Sequence, residues 1–242
     1  MAHPSIVIVN ASTVCPDDEV RHYVAALQAF MPEFCAKWEL DEVALAFMPH
    51  GQKIPRGMWV QVVADTSDQA GALGYHETAK GKFPIGYTFA KTGRAAGSSV
   101  SGTLSHELWE MLGDPYIDAV VVEPATERRW DVENADPVES DDYAIHFPMP
   151  SGPEVLISDF VFPSYFKFAG PEGVPYDYKG LLTKPIPAML PGGYLAFQEP
   201  TGRWGQIDSF EAHEHRARAA ARPQALSRRY RRMFSAWQES EV

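Results

Sequence analysis

The first 113 residues alternate short apolar runs with a longer amphipathic segment, and this alternation restricts the possible folds more than any other feature. The run SIVIVN, residues 5–10, is rich in β-branched side chains and predicts a buried strand. A proline and two aspartates then open a segment, residues 20–31, in which apolar side chains recur at helical spacing. Further extended runs begin at residues 43, 58 and 84. With a glycine-broken run between the last two, we expect the order β, α, β, β, edge β, β, α.

The glycine-broken run is QAGALGYHE, residues 69–77. Glycines weaken a central strand but suit an edge strand that another part of the chain approaches closely. The following GRAAGSS, residues 93–99, predicts a flexible connection. Residues 103–112 then predict a helix that ends at Gly113, with Pro115 just beyond it.

Beyond Pro115 the sequence changes character, because prolines, glycines and aromatic residues crowd together and no helical period persists. Short strands and ordered loops are expected there, and the aromatic residues should pack this lobe onto the first half. We therefore predict an α+β fold in three parts. These parts are an αβ core with the candidate active-site helix in residues 1–115, a dependent strand-and-loop lobe in residues 116–210 that completes the site, and an Arg-rich helical tail in residues 211–242.

The composition of the chain restricts the functions that it could have. The chain has 242 residues, of which 45% are hydrophobic, and a formal net charge of −11. This acidic balance argues against general binding to nucleic acids or to anionic membranes, since both require clustered cations. The N-terminus lacks the basic region of a signal peptide, and no apolar run approaches the ~18 residues of a membrane span. We expect a soluble, cytoplasmic protein.

Three sequence features receive no functional role. Cys15 and Cys35 show no metal-binding or redox spacing and are expected to be reduced thiols. The Arg-rich tail is interpreted as a solvated helix that offsets the acidic body, with a nucleic-acid arm as the alternative. His213 and His215 resemble a metal-binding pair only in composition, and we interpret them as part of a surface helix.

The segment GTLSHELWEMLGDP, residues 102–115, carries the strongest chemical signal in the chain. Residues four apart on a helix project from the same face, so His106 and Glu110 could bind one cation. Glu107 lies one step around the helix, where it could exchange protons with a metal-bound water. Zn²⁺ accepts both imidazole and carboxylate ligands, and an additional carboxylate could favour Mn²⁺ or Fe²⁺.

In its motif and context this part of the chain resembles the zincin-like metallopeptidases, with Glu110 where their second histidine stands. In that family a mixed sheet precedes the active-site helix, and an antiparallel edge strand holds an extended peptide. The resemblance covers about the first 140 residues and implies His106 and Glu110 as metal ligands and Glu107 as general base. It also implies that Gly74, Tyr75 and His76 line the substrate cleft.

The resemblance leaves the third ligand to be found. Tyr116 stands where one branch of the family has its third ligand, and tyrosine is a poor substitute. Another branch uses a downstream glutamate followed by an aspartate, which implies Glu133 as the third ligand and Asp136 as the residue that supports the His106 ring, with the reverse as the alternative. A fainter likeness to exordium-like proteins covers the same residues together with Asp114 and Pro115.

Each assignment has a structural alternative. His106 could be an ordinary helix histidine, His76 an ordinary strand residue and Asp114 a helix-end residue. The acidic residues from 133 onwards could form only a solvated loop; they are Glu133, Asp136, Glu139, Asp141 and Asp142.

Two functions follow from this sequence. The first is a metal-dependent hydrolase of peptide bonds that uses one divalent metal, with zinc expected and manganese or iron possible, acting on a peptide or protein. The second is a catalytically inactive scaffold that keeps the fold to bind a partner peptide. Retention of Glu107 beside His106 favours the first, because an inactive site has no need of a base.

Overall fold

The computed structural model describes residues 5–67, 72–79, 83–139, 145–147 and 155–209. Within these ranges the chain has an α+β fold with mixed sheets. The helices are α1 (Asp17–Trp38), α2 (Ala90–Ala95) and α3 (Val100–Gly113). The strands are β1 (Ser5–Asn10), β2 (Ala44–Pro49), β3 (Trp59–Ala64), β4 (Gly74–Ala79), β5 (Phe83–Phe89), β6 (Val120–Val122), β7 (Arg129–Asp131), β8 (Ile145–Phe147), β9 (Val155–Ile157), β10 (Tyr194–Gln198) and β11 (Trp204–Asp208).

The main sheet has five strands in the order β2-β1-β3-β5-β4. Strands β2, β1, β3 and β5 are parallel, and β4 runs antiparallel to β5 at one edge. The predicted order of the strands and of the two longer helices, and the edge position of the glycine-broken strand, are therefore confirmed. The parallel strands require crossover connections, and α1 supplies the first of them between β1 and β2.

Helix α1 begins after Pro16, and its first turn contains Asp17, Asp18 and Glu19, whose charges favour the positive end of the helix dipole. Its apolar face packs with α3, β1 and β9 around one hydrophobic cluster. At the centre of that cluster Trp109 of α3 stacks on Phe34 of α1, with ring centroids 4.4 Å apart. This packing fixes the position of α3 against the sheet.

The residues after Pro115 contribute to two hydrophobic clusters. Val155, Ile157 and Phe160 join the cluster of α1 and α3, and Phe160 contacts the rings of both Phe34 and Trp109. The second cluster is centred on buried residues such as Trp130 and lies under a four-stranded antiparallel sheet in the order β11-β10-β7-β6. The expected packing of aromatic residues from this part onto the first half is observed.

Two details of the prediction are wrong. Gly93, Arg94 and Ala95 belong to helix α2 rather than to a flexible connection. The carbonyl oxygen of Asp65 accepts hydrogen bonds from the N–H groups of Lys91 and Thr92, which holds the start of α2 against the end of β3.

The end of α3 also differs from the expected glycine cap. The helix includes Gly113, and Asp114 follows as its C-cap. A side chain at Gly113 would come within 2.7 Å of the Asn134 side-chain nitrogen, so the glycine is needed for close packing.

The structure tests the expectation for the cysteines but not the one for the tail. Cys15 and Cys35 are buried free thiols, as predicted. The Arg-rich tail, with His213 and His215, lies outside the described residues, as do Asp141 and Asp142. In the part of the chain that is described, no helix is both long and apolar enough to cross a membrane.

Candidate metal centre

Helix α3 carries the candidate site because its start and its register are both fixed. The Ser99 side chain accepts a hydrogen bond from the backbone N–H of Gly102 and caps the first turn. The helix then runs between the main sheet and β9, and nearly all of its residues are buried. His106, Glu107 and Glu110 are among the buried residues, so the helix brings charged side chains into the interior.

His106 lies beside two carboxylates. Its Nε2 is 3.1 Å from Oε1 of Glu110, one helical turn further on, and 3.3 Å from Oδ1 of Asp136. All three side chains are buried. We call these residues the His106 group, and their ligand atoms lie close enough together to hold a metal ion.

His76 lies beside the other oxygen of Glu110. The Nδ1 atom of His76 is 3.5 Å from Oε2 of Glu110 and 3.8 Å from Oε2 of Glu107. His76, Glu107 and Glu110 form a second set that could hold a metal ion, which we call the His76 group. On its far side, Nε2 of His76 faces Oε2 of Glu133 at 3.9 Å.

Strand β4 brings His76 to the helix because residues two apart on a strand share a face. Gly74 and His76 lie on the face towards α3, and a side chain at position 74 would come within 2.6 Å of Oε1 of Glu107. The close approach expected of a glycine-broken edge strand is therefore an approach to Glu107. Tyr75 points to the opposite face, where its ring contacts Tyr87 and Phe89.

The acidic segment 133–136 is held against α3 by the residue between its carboxylates. The Asn134 side chain donates a hydrogen bond to the carbonyl oxygen of Trp109 at 2.8 Å, and its backbone carbonyl accepts one from Val161. A short 3₁₀ helix, Asp136–Val138, follows directly. This segment is buried at Glu133, Asn134 and Asp136, so the alternative of a solvated acidic loop is wrong for these residues.

The cluster is rich in carboxylates. Four carboxylates, from Glu107, Glu110, Glu133 and Asp136, surround two imidazoles. Burial alone would lower the pKa of His106, but the carboxylates of Glu110 and Asp136 outweigh burial and raise this pKa well above its usual value. The cluster therefore offers more carboxylates than imidazoles, and divalent metals accept both kinds of ligand.

Within this cluster His106 and Glu133 have the most exposed side chains. Each keeps 9% side-chain exposure, whereas His76 and Glu110 keep none. The cluster is therefore almost closed to solvent.

The structure brings together all the residues expected to bind metal: His106, Glu110, Glu133 and Asp136. The preferred assignment had Glu133 as the third ligand and Asp136 beside His106, but Asp136 lies in the His106 group while Glu133 faces His76. This geometry favours the reversed roles, and which residue binds metal stays a prediction. Asp114 accepts hydrogen bonds from the N–H groups of Asp118 and Ala119, as expected of a helix-end residue.

Sequence reasoning did not find that His76 faces the same carboxylates as the helix. Its assignment to the substrate cleft, with Gly74 and Tyr75, stays a prediction. A signal was present, since Gly74 indicated a close approach and His76 lies two residues later on the same face. The sequence did not indicate that the residue approaching Gly74 is Glu107.

Comparisons of the chain with family models, with curated proteins and with solved structures found no match. The function is therefore argued from the residues of the site. These residues offer two imidazole nitrogens and several carboxylate oxygens in a buried setting, which is a donor set that divalent transition metals accept.

Proposed function

We propose that this protein is a metal-dependent hydrolase that cleaves peptide bonds. The observation that carries the proposal is the convergence, in a buried cluster, of His106, Glu107 and Glu110 on α3 with Asp136 from the following segment. The His106 group would hold the catalytic metal through one nitrogen and two carboxylate oxygens. Zinc is the expected ion, with manganese or iron as the other candidates.

The metal would supply Lewis-acid chemistry, lowering the pKa of a water molecule and polarising the scissile carbonyl. Glu107 is the proposed general base, since it follows His106 on the helix and its carboxylate lies in the same cluster. It would take a proton from the attacking water and deliver it to the amine that leaves when the C–N bond breaks. Glu110 and Asp136 would supply the carboxylate ligands, since each has an oxygen close to Nε2 of His106.

A peptide is the proposed substrate because an edge strand borders the cluster. Strand β4 pairs with β5 along one side, and an extended peptide could add to its other side through main-chain hydrogen bonds. Oε1 of Glu107 lies next to Gly74 of this strand, so a peptide bound there would lie near the general base. This arrangement also agrees with the resemblance to zincin-like metallopeptidases.

The proposal is tested by replacing Glu107 with Gln. The parent protein and Glu107→Gln are loaded in turn with Zn²⁺, Mn²⁺ and Fe²⁺ and incubated with a fluorogenic peptide library. We expect Glu107→Gln to keep the ion of the His106 group and the fold but to lose hydrolysis by about 10²- to 10⁴-fold, the usual contribution of a general acid–base group. Metal content and thermal unfolding are measured on the same samples.

Glu172→Gln is the matched control, because Glu172 is an exposed carboxylate with 71% side-chain exposure that pairs with Lys184. It should cleave peptides like the parent. A parent protein that binds metal but cuts no member of the library under any of the three ions would favour the inactive scaffold. Equal cleavage by Glu107→Gln and the parent would remove Glu107 from the mechanism.

A further inference from the structure

We infer that the cluster binds two divalent metal ions, with Glu110 as the carboxylate shared between them. The first ion occupies the His106 group and the second occupies the His76 group. The inference rests on the metal site of the proposed function but not on peptide hydrolysis.

The two oxygens of Glu110 face different imidazoles. Oε1 lies 3.1 Å from Nε2 of His106, and Oε2 lies 3.5 Å from Nδ1 of His76. Metal–nitrogen bonds in zinc sites are about 2.0–2.1 Å long, so an ion bound to one imidazole sits close to one of these oxygens. A carboxylate with one oxygen in each group is placed to bridge two ions, which lie about 3.5–4 Å apart in two-metal hydrolytic sites.

The ligand atoms themselves divide into two groups. The atoms of the His106 group all lie within 4.8 Å of one another, and so do those of the His76 group. Among the described residues, the two imidazoles fall in separate groups that share Glu110. Each group offers one nitrogen and two carboxylate oxygens, so each has three protein ligands, the number typical of a catalytic metal site with an open position.

Burial is consistent with the same stoichiometry. The carboxylates of Glu107, Glu110, Glu133 and Asp136 are all buried around the two imidazoles, and a carboxylate binds a metal in its deprotonated form. An ion in the His106 group would engage Glu110 and Asp136, whereas a second ion in the His76 group would engage Glu107 as well.

Glu133 lies on the other side of the His76 ring from the second group. Its Oε2 faces Nε2 of His76, the nitrogen opposite to the one that faces Glu107 and Glu110. A carboxylate at the far nitrogen of a metal-binding histidine fixes the tautomer and increases its basicity. In the second group Oε2 of Glu107 is the ligand atom, which leaves Oε1, beside Gly74, for the proton transfer proposed above.

The direct test is metal stoichiometry. The full chain carrying His213→Ala and His215→Ala is used throughout, so that these two histidines do not contribute to the count. The protein is stripped with chelator and titrated with Zn²⁺ and with Mn²⁺, and the bound metal is measured by elemental analysis. We expect two ions per chain, and saturation at one ion would overturn the inference.

Variants locate each ion. His76→Ala should retain one ion, and His106→Ala should lose the ion of its own group, whereas Glu172→Gln should keep both. If His76→Ala does not fold, His76→Gln is used in its place. Retention of both ions by a folded His76 variant would overturn the inference.

A spectroscopic measurement on the unmutated site tests the shared ligand. Two Mn²⁺ ions bridged by Glu110 should give an electron paramagnetic resonance spectrum changed by coupling between them, and the spectrum should revert to that of an isolated ion in the His76 variant. Uncoupled spectra at full loading would overturn the bridge. Two bound ions without peptide cleavage would refute only the proposed function, whereas one bound ion with cleavage would refute only this inference.

Discussion

Buried carboxylates gather in two regions of this protein, and their surroundings differ. In the candidate metal centre, Glu107, Glu110, Glu133 and Asp136 surround two imidazoles. In the other region, Asp159 and Asp177 are fully buried next to each other, and backbone N–H groups donate hydrogen bonds to both.

The difference shows two ways of burying negative charge. At the second region burial, together with the neighbouring Asp177, raises the pKa of Asp159 to about 8, so the pair keeps a proton at neutral pH. One proton is enough because only two carboxylates are present and backbone amides satisfy the remaining oxygens. At the metal centre the carboxylates are arranged around imidazole nitrogens, which are metal ligands, and cations are the proposed compensation.

The largest effect is expected from Glu110→Gln, because Glu110 contributes to both ligand groups. Metal affinity should fall by more than the roughly 10- to 100-fold that follows the loss of a residue behind a ligand. Chelator should therefore lower the unfolding temperature of the variant by less than that of the parent, because the variant has less metal binding to lose. Calorimetric metal titration and thermal unfolding with and without chelator measure the two effects.

The presence of metal should not affect the contribution of Asp159 and Asp177 to stability. Chelator should lower the unfolding temperature of the parent and of Asp159→Asn alike, because that pair does not depend on metal. If chelator had no effect on the parent, cations would not be compensating the charge of the first region.

The proton held by Asp159 gives the second prediction. Its folded pKa of about 8 lies above the ordinary value of 3.8. Between these values the folded state holds a proton that the unfolded state has lost, so this contribution to stability is complete below about pH 4 and is lost as the pH rises through 8. One proton corresponds to about 1.4 kcal/mol per pH unit of decreasing stability within this window.

Asp159→Asn should remove this dependence. An asparagine can accept the same hydrogen bonds from Phe160 and Lys179 and donate its own to Asp177 in place of the proton. Urea unfolding of parent and variant from pH 5 to pH 8 should show the variant gaining stability relative to the parent as the pH rises. A constant difference between variant and parent across this range would mean that the pair holds no proton. Glu172→Gln is the control, and its stability should differ from that of the parent by the same amount at every pH.

The sequence predicts the main sheet well because its signals are local. The β-branched run of β1, the amphipathic period of α1 and the glycines before His76 each determine their own element, and the structure confirms all three. Helix α2 was missed because what holds it is the carbonyl of Asp65, more than two dozen residues away in the chain. The four-stranded second sheet was also not foreseen, since β6 and β7 have only three residues each and β7 pairs with β10 across residues 132–193.

The candidate site shows the same limit. His106 and Glu110 could be paired from their helical spacing, and the resemblance to a known family indicated the segment with Glu133 and Asp136. The position of His76 could not be obtained in this way, because it depends on the register of β4 against β5 and on the approach of that strand to α3. Periodicity places a side chain on a face of its element but does not identify the residue that faces it.

The smallest expected effect concerns Asn134, which holds the acidic segment of the metal centre against α3. Its side chain donates to the carbonyl of Trp109 at 2.8 Å, and it lies between Glu133 and Asp136 in the chain. Asn134→Ala leaves all ligands in place but releases this anchor, so metal affinity should fall by about 10- to 100-fold. The pH dependence at Asp159 should be unchanged, because its hydrogen bonds come from other segments. Metal titration and the same urea series measure both quantities on one variant. A change in the pH dependence without a loss of metal affinity would show that Asn134 supports the general fold rather than the metal centre.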